Sequence, residues 1–345
     1  MSLLAACEGR STMAAFWCSG HEFYEIVGDF GGYKAGLGLT HEEIRDHVTK
    51  EGLDLPPYQA GVIRVRYDEL EQVVRALLFA VGALRSRQSG MQPTLLLYAK
   101  YHKDAEARAI VATITDSLVK SASTRAGDEP VDLTPVFEHA VREHGRRGLE
   151  IAEEFYALLE EYMQGSILAA FRRTQWKDVT ALRELFESEG LEPSHGTFLD
   201  QRFIDYLGAN FEKIDVMNWR KFEALAAEFF EREGYAVKMG PGRDDGGIDV
   251  RVWKEDQDVD GPPTILVQCK RQKAKVGKVV VKALWADVMH EEAESGLIVT
   301  TSALEPGAAA LAVARSYPVR AAEREKLREW IQALRTPGTG VALIA

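Results

Sequence analysis

Three absences narrow the class of protein that this 345-residue sequence encodes. Only three cysteines are present, at positions 7, 18 and 269, so a disulfide framework is excluded and a reducing compartment is indicated. No apolar run reaches about eighteen residues, which argues against a membrane-spanning helix. The N-terminus has no basic segment before its apolar stretch and so does not resemble a secretory signal. These absences predict a cytoplasmic protein with no membrane partner.

The sequence also lacks an excess of basic residues, since its formal net charge is −11. The acidic excess is confined to residues 1–217, which contain 23 basic and 34 acidic residues, whereas residues 218–345 contain 19 of each. A dense basic run, QCKRQKAKVGKVVVK, occupies residues 268–282. Such a run, taken alone, is more often a solvated surface than a binding site. Local charge governs phosphate contact, so a DNA partner remains compatible with the C-terminal part.

The N-terminal part has the 3.6-residue apolar spacing of helices. The clearest case is residues 67–87, with apolar residues at positions 70, 73, 74, 77, 78, 81 and 84. Further helices are predicted over residues 104–121, 133–145, 147–163 and 174–189, and residues 94–101 fit either a strand or a buried helix. The glycine-rich segment 28–38 lacks the Gly-Lys-Ser/Thr ending of a phosphate loop, so it is interpreted as turn-rich chain.

The C-terminal part changes to a mixed pattern of helices and strands. Helices are predicted over residues 219–233, 276–293, 306–316 and 323–334, and strands over 235–239, 248–253, 264–270, 296–301 and 317–321. This order indicates an α/β sandwich around a mixed sheet. The predicted organisation is a mostly helical recognition or regulatory region over 1–197, a linking helix over 198–217, an α/β domain over 218–335 and a tail over 336–345.

The C-terminal strands place a small set of polar side chains where a metal and a phosphate could be bound. Strand alternation puts Gln268 and Lys270 on one face, and Asp249 on the preceding strand can face them if the register allows. The Asp249 carboxylate, the Gln268 side-chain oxygen and the Cys269 backbone carbonyl are candidate ligands for a hard divalent cation. Glu223 would bind through water or accept a proton, and Lys270 would lie nearest the attacking water. The cysteine thiol itself alternates toward the core, which disfavours it as a nucleophile.

Four strings in fixed order strengthen this interpretation. They are FEALAAEFFEREGYAV, GGIDV, ILVQCKR and GLIVTTS, all between residues 219 and 334. In combination they resemble the Mrr-like restriction endonuclease domain, a branch of the PD-(D/E)xK nuclease superfamily. The resemblance covers about one third of the chain. It implies a restriction-endonuclease-like fold, a DNA substrate and magnesium as the metal, for which manganese is a substitute.

The resemblance also assigns roles to individual residues. It implies Asp249, Gln268 and Lys270 as the active-site triplet, with Glu223 on the first helix of the domain as an accessory acid. The end of the GLIVTTS string, Thr300 to Ser302, would lie near DNA. The sequence departs from the superfamily pattern by having Ile248 in place of a proline before the aspartate. A glutamine also replaces the second carboxylate, which the Mrr-like branch accepts but which removes one negative charge from the metal site.

The resulting prediction is a metal-dependent DNA endonuclease that hydrolyses phosphodiester bonds in restriction or antiviral defence. Candidate DNA contacts are Arg271, Lys273, Lys275, Lys278, Thr301 and Ser302. Three alternatives stay open: a DNA repair nuclease, a non-catalytic DNA-binding module, and a sensor or assembly protein whose helical region carries the function. The sequence also leaves open whether the chain forms a homo-oligomer and whether the acidic N-terminal region binds a partner protein.

Overall fold

The computed structural model describes residues 14–124, 131–187, 193–242 and 247–335. It divides into two compact units. The first comprises Met1–Ala35 and Thr40–Gln175, and the second comprises Gly36–Leu39 and Trp176–Ala345. In the described residues no helix is both long enough and apolar enough to cross a lipid bilayer.

The elements are numbered in chain order. The first part of the chain contains β1 (Ala15–Cys18), α1 (Gly20–Ala35), β2 (Leu37–Gly38), α2 (His41–Lys50), β3 (Ile63–Arg66), α3 (Tyr67–Ala80), α4 (Pro93–Lys100), α5 (Ala105–Thr124) and α6 (Thr134–Gly165). The remainder contains β4 (Thr180–Ala181), α7 (Leu182–Glu187), α8 (Gln201–Ala209), α9 (Trp219–Arg232), β5 (Ala236–Met239), β6 (Val250–Trp253), β7 (Ile265–Lys270), α10 (Lys278–His290), β8 (Ser295–Thr300), α11 (Pro306–Ala314), β9 (Val319–Ala322) and α12 (Arg324–Leu334). Short 3-10 helices lie at Arg87–Gly90 and Phe211–Asp215.

The first unit is mostly helical, as predicted. Its apolar spacing forms a buried cluster from α4, α5 and α6 that includes Leu97, Ile110 and Phe155. The backbone of α6 is non-helical at Gly145, which has a φ of 59°. This break falls between the two helices that the sequence predicts. A two-stranded antiparallel sheet, β1 with β3, completes the regular structure of the unit.

The second unit is built on a five-stranded mixed sheet in the order β5-β6-β7-β8-β9. β5, β6 and β7 follow one another in the chain and pair antiparallel, whereas β7, β8 and β9 pair in parallel. Parallel neighbours need a crossover connection, and α10 and α11 provide the two that occur here. The fold class predicted from the sequence is therefore confirmed: a mixed sheet with flanking helices follows a mostly helical region.

Helices cover the central strands of this sheet on both faces. Leu266 of β7 and Ile298 of β8 join an apolar cluster with Leu284 of α10 and Ala308 of α11. Val267 alternates to the opposite face, where α9 and α12 pack. Trp330 of α12 stacks on Phe229 of α9 with ring centroids 4.0 Å apart. Because both faces are buried, the centre of the sheet is a rigid support for polar groups at its edge.

Two predictions about local structure are wrong. The glycine-rich segment 28–38 is not turn-rich chain, because α1 runs through it to Ala35 before Gly36 takes a φ of 68°. Residues 174–181 are not helical either; Thr180–Ala181 instead pairs in parallel with Leu37–Gly38. Only Leu182–Glu187 of the predicted 174–189 helix is helical, and the final two residues lie outside the described residues.

Candidate active site at the end of the central strands

Asp249 is held in place by the backbones of two flanking segments. Its N–H donates to the Val267 carbonyl at 2.9 Å, and its own carbonyl accepts from the Gly240 N–H at 2.8 Å. The residue is 8% exposed and lies immediately before β6. These two bonds fix the position of the aspartate backbone between the strands on either side.

The side chain of Asp249 is directed at the end of β7. Its Oδ2 accepts a hydrogen bond of 2.6 Å from the Cys269 backbone N–H. This bond places the carboxylate beside the segment that carries Gln268 and Lys270, whose side chains share a face of the strand by alternation. The hairpin register, which the sequence could not specify, thus places the Asp249 carboxylate at the backbone between Gln268 and Lys270.

Regular alternation does not explain how Asp249 reaches this position. The sequence predicts that Ile248, Val250 and Val252 share one face of a continuous strand. Instead, β6 begins at Val250, and Ile248 belongs to the apolar cluster under α10. That cluster contains neither Val250 nor Val252. Arg251 pairs with Glu291 at the end of α10, so the two valines alternate to the other face. The break in alternation lies at the candidate catalytic aspartate.

Gln268 contributes a buried oxygen that lacks a partner. The residue is 7% exposed, and its Oε1 has no hydrogen-bond partner among the described residues. An unpaired buried carbonyl oxygen costs free energy, about 1–3 kcal/mol for a lost partner. A cation or a water molecule at this position would satisfy it. Such an orphaned acceptor beside a carboxylate is a specific indication of a ligand site.

Glu223 of α9 completes the set of carboxylates. It is 5% exposed, its Oε2 accepts from Nη1 of Arg220 at 2.7 Å, and its carboxyl group lies near that of Asp249. Burial raises the pKa of Glu223 from 4.5 to about 7, with the Asp249 charge adding to the rise and Arg220 opposing it. Two neighbouring carboxyl groups disfavour the state in which both are ionised, which agrees with this direction.

Lys270 lies at the last position of β7, in parallel register with Thr300 of β8. The Thr300 hydroxyl donates to the Lys270 carbonyl at 2.8 Å, which ties the two strand ends together. The lysine is half-buried and follows Gln268 on the same face of the strand. The placement of its ammonium group beside the scissile phosphate stays a prediction.

The Cys269 thiol is unsuited to nucleophilic chemistry. Burial raises its pKa well above 9, and the Asp249 and Glu223 carboxylates raise it further. A thiol that stays protonated is neither a good nucleophile nor a good metal ligand. Strand alternation, which directs this thiol toward the core, gives the same preference. The proposed use of the Cys269 backbone carbonyl as a metal ligand stays a prediction.

The donor atoms fit a hard divalent cation rather than zinc. No group of three or more His, Cys, Asp or Glu residues is close enough to hold a metal in the part of the chain that is described. The site instead offers two carboxylates, from Asp249 and Glu223, and the amide oxygen of Gln268. All are oxygen donors, which magnesium and manganese accept and which do not match the nitrogen and sulfur set of structural zinc.

The basic residues predicted to contact DNA are exposed and lie just beyond the site. They are Arg271, Lys273, Lys275 and Lys278. Arg271 also donates from Nη1 to the Asp215 carbonyl at 2.9 Å. The other three side chains project from the loop after β7 and the first position of α10. DNA contact by these residues stays a prediction, supported by their exposure next to the strand ends.

Thr301 and Ser302 hold the loop after β7 in place. The Thr301 hydroxyl accepts from the Gln272 N–H at 3.1 Å and donates to the Gln272 carbonyl at 3.2 Å, and the residue is 4% exposed. The Ser302 hydroxyl donates to the Lys273 carbonyl at 3.2 Å. Both hydroxyl groups are engaged with the backbone that presents the basic residues. Their direct contact with DNA stays a prediction.

Sequence reasoning missed two arginines that organise this region. Arg220 binds Glu223 and also donates from Nη2 to the Gly240 carbonyl at 2.7 Å. Arg324 donates from Nη1 to Asp215 Oδ1 at 2.7 Å and to the Thr301 carbonyl at 3.1 Å. For Arg220 the sequence did offer a signal: it lies three residues before Glu223, and residues at this spacing share one face of a helix and can form an ion pair.

Comparison with known proteins supports the nuclease interpretation of the second unit. Residues 214–331 match the family model Mrr_cat, described as a restriction endonuclease. The C-terminal third is therefore similar to Mrr-like restriction endonuclease domains. This confirms the resemblance found in the sequence, although the match covers about one third of the chain. Residues 1–213 lie outside it.

Two individual proteins show partial similarity. The uncharacterized protein y4cE of Sinorhizobium fredii (strain NBRC 101917 / NGR234) is 31% identical over 90 residues, which are 26% of this chain and 23% of that protein. The aligned part of the chain thus spans about a quarter of the length of this relative. The solved structure of the MspJI restriction endonuclease in complex with a 27-mer oligonucleotide matches with 17% identity and a TM-score of 0.28, covering 65% of this chain and 46% of that one.

Proposed function

We propose that this protein is a metal-dependent DNA endonuclease whose active site consists of Asp249, Gln268, Lys270 and Glu223. The observation that carries the proposal is the hydrogen bond from the Cys269 N–H to the Asp249 carboxylate, which joins the aspartate to the Gln268–Lys270 segment. The Mrr-like domain over residues 214–331 supports a nuclease role. The metal dependence, the substrate and the roles of the four residues are parts of the proposal.

The oxygen donors would hold a divalent cation, magnesium or manganese. When bound, such a cation supplies positive charge against the scissile phosphate and lowers the pKa of water in the site. Asp249 and the orphaned Oε1 of Gln268 are the candidate ligands, with the Cys269 carbonyl as a third. Glu223, whose pKa burial raises to about 7, would accept a proton or bind the cation through water.

Lys270 would orient the attacking water and stabilise charge that develops on the phosphate. A fixed ammonium group placed beside the reacting phosphate stabilises the transition state more than the ground state, because the phosphate gains negative charge there. The exposed basic residues after β7 would bind the phosphates on either side of the scissile bond. Their effect would be on affinity, and it would fall with rising salt concentration.

A role in restriction or defence against foreign DNA is part of the same proposal. The first unit would recognise the target, regulate cutting or bind a partner protein, because its acidic balance does not suit broad contact with duplex DNA. A repair nuclease is the alternative with the same chemistry. The choice between them depends on which DNA is cut.

The test is cleavage of supercoiled plasmid DNA, methylated and unmethylated, with magnesium or manganese and with a chelator. Wild-type protein is expected to nick or linearise plasmid only when metal is present. Lys270→Ala should reduce cleavage by at least about 100-fold while DNA binding changes little, because the lysine acts on the transition state. Asp249→Ala should have the same effect.

The matched control is Lys326→Ala, which removes an equal charge from the exposed face of α12. It should cut DNA like the wild type. Cleavage that survives both Lys270→Ala and Asp249→Ala would refute the site assignment. Tight DNA binding without cleavage under any metal would favour the non-catalytic binding module instead.

A further inference from the structure

Arg220 makes two contacts that meet at the candidate active site. Its Nη1 donates to Oε2 of Glu223 at 2.7 Å, and its Nη2 donates to the Gly240 carbonyl at 2.7 Å. The arginine side chain is 12% exposed and the glutamate side chain 7%. The pair is therefore largely desolvated, unlike the surface ion pairs that contribute little to stability.

Gly240 connects the same arginine to the second carboxylate. The Gly240 N–H donates to the Asp249 carbonyl at 2.8 Å, while its carbonyl accepts from Arg220. One peptide segment thus lies between the guanidinium group and the backbone of Asp249. Arg220 is consequently connected to the Glu223 carboxylate directly and to the Asp249 backbone through one intervening residue.

The turn after β5 is packed against this guanidinium group. Gly242 has a φ of 90°, and a methyl group added there would lie 3.0 Å from Nη1 of Arg220 and 3.2 Å from the ring of Trp219. The backbone therefore comes close enough that a side chain would require the arginine to shift by a few tenths of an ångström. Glycine is required here both for its left-handed backbone and for its close approach.

From this geometry we propose that Arg220 is a positioning residue that sets the orientation of Glu223 relative to Asp249, an inference that rests on the proposed nuclease function. Arg220 holds Oε2 of Glu223, which leaves Oε1 free of that ion pair. A planar guanidinium can hold two acceptors in fixed directions, whereas a lysine ammonium cannot reproduce that fork. In this role Arg220 would act through Glu223 rather than on the phosphate or the cation.

Arg232 is a matched control on the same helix. It pairs with the buried Glu228 at 2.6 Å, and that glutamate binds the backbone of residues 197–199 rather than a residue of the candidate site. Arg220→Gln and Arg232→Gln therefore each break one buried arginine–glutamate pair of α9. Only the first pair includes a residue of the candidate active site.

The experiment measures DNA cleavage, DNA affinity and manganese binding by calorimetry for both variants. Arg220→Gln should lower kcat and raise the manganese Kd, each by about 10–100-fold, as loss of a partner that orients a metal ligand commonly does. KM for DNA should stay within about twofold. Arg220→Lys should recover less than about a tenth of the lost rate, because it restores charge but not the fork. Arg232→Gln should leave kcat and manganese affinity unchanged, whatever its effect on Tm.

A double-mutant cycle with Glu223→Gln tests whether Arg220 acts through the glutamate. If it does, Arg220→Gln adds little to the defect of Glu223→Gln, because the group to be positioned is already altered. Additive losses in the two variants would overturn the inference. So would full activity and wild-type manganese affinity in folded Arg220→Gln protein.

Failure of the proposed function gives a different result. Wild-type protein that neither cuts DNA nor binds manganese would overturn the nuclease proposal and this inference with it. Wild-type protein that binds manganese without cutting leaves the cycle measurable through the metal Kd. Wild-type protein that does both, with Arg220→Gln indistinguishable from it, would overturn only the role of Arg220.

Discussion

Glu223 and Glu228 are both buried on α9, but they have different kinds of partner. Glu228 is 1% exposed and accepts hydrogen bonds from the backbone N–H groups of residues 197, 198 and 199, in addition to its pair with Arg232. Glu223 has a single arginine and faces the carboxyl group of Asp249. Every oxygen of Glu228 is satisfied by donors, whereas Glu223 faces a second acid.

The difference separates a structural carboxylate from a functional candidate. A buried charge surrounded by donors stabilises the fold, because its removal leaves those donors unpaired. A buried charge placed against a like charge is unfavourable unless a proton or a cation lies between them. Such unfavourable arrangements concentrate at active sites. Burial alone could not distinguish the two glutamates, and the identity of their partners does.

The largest expected effect is on stability at Glu228. Glu228→Gln should lower the free energy of unfolding by about 3–5 kcal/mol, because an amide presents N–H groups to backbone donors and leaves Arg232 without a charged partner. Urea denaturation followed by circular dichroism measures this. A loss below about 1 kcal/mol would show that the comparison between the two glutamates is mistaken.

A pH dependence of stability is expected from Glu223. Its pKa is about 7 in the folded protein and near 4.5 when unfolded, so the unfolded state loses this proton first as the pH rises. The group therefore makes folding less favourable between pH 4.5 and 7, by at most about 3 kcal/mol, and the penalty is complete above pH 7. Denaturation at several pH values should show this slope in metal-free wild type and a smaller one in Glu223→Gln. Equal slopes in both proteins would contradict the assignment.

The two substitutions should rank in opposite order for cleavage and for stability: Glu223→Gln should impair cleavage more, and Glu228→Gln should impair stability more. Glu223→Gln is expected to keep the protein folded at neutral pH and to reduce kcat by about 100-fold, which corresponds to about 2.7 kcal/mol. Glu228→Gln, measured at a temperature where it remains folded, should cut with a near-wild-type kcat. Equal losses of activity in the two variants would contradict the distinction between Glu223 and Glu228.

The smallest expected effect is stabilisation by metal. At a manganese concentration about ten times its Kd, the wild-type protein should gain about 1.4 kcal/mol of stability. Gln268→Leu removes the orphaned oxygen and should reduce this gain, with little loss of stability in the absence of metal. Glu228→Gln should retain the full gain. Thermal denaturation with and without manganese measures all three proteins.

The elements of the second unit were largely predictable from the sequence. The apolar stripe of α9, with its stop at Gly234, and the short alternating strands each match the structure within a few residues. These patterns are local consequences of burial on one face, so they can be read without knowing the fold. The break in α6 at Gly145 was also anticipated, because each half has its own apolar stripe.

Predictions failed where a distant part of the chain decides the local structure. Glycines 28, 31 and 32 were interpreted as turn formers, yet α1 includes them because its apolar face is buried with Val27 fully enclosed. Residues 180–181 form a strand only because β2, more than one hundred positions earlier, pairs with them. Tertiary packing overrides local propensity in both cases.

The sequence by itself determined which residue types are available at the candidate site and on which elements they lie. Asp249, Gln268, Lys270 and Glu223 follow from the strand and helix patterns and from the order of the four motif strings. Only the tertiary structure decided that the Asp249 carboxylate meets the Cys269 N–H and that Gln268 Oε1 is left without a donor among the described residues. It also decided that Arg220 binds Glu223 and, through Gly240, reaches the backbone of Asp249. The physical reason is that strand register and the approach of α9 to the sheet edge are set by long-range burial, which no local pattern encodes.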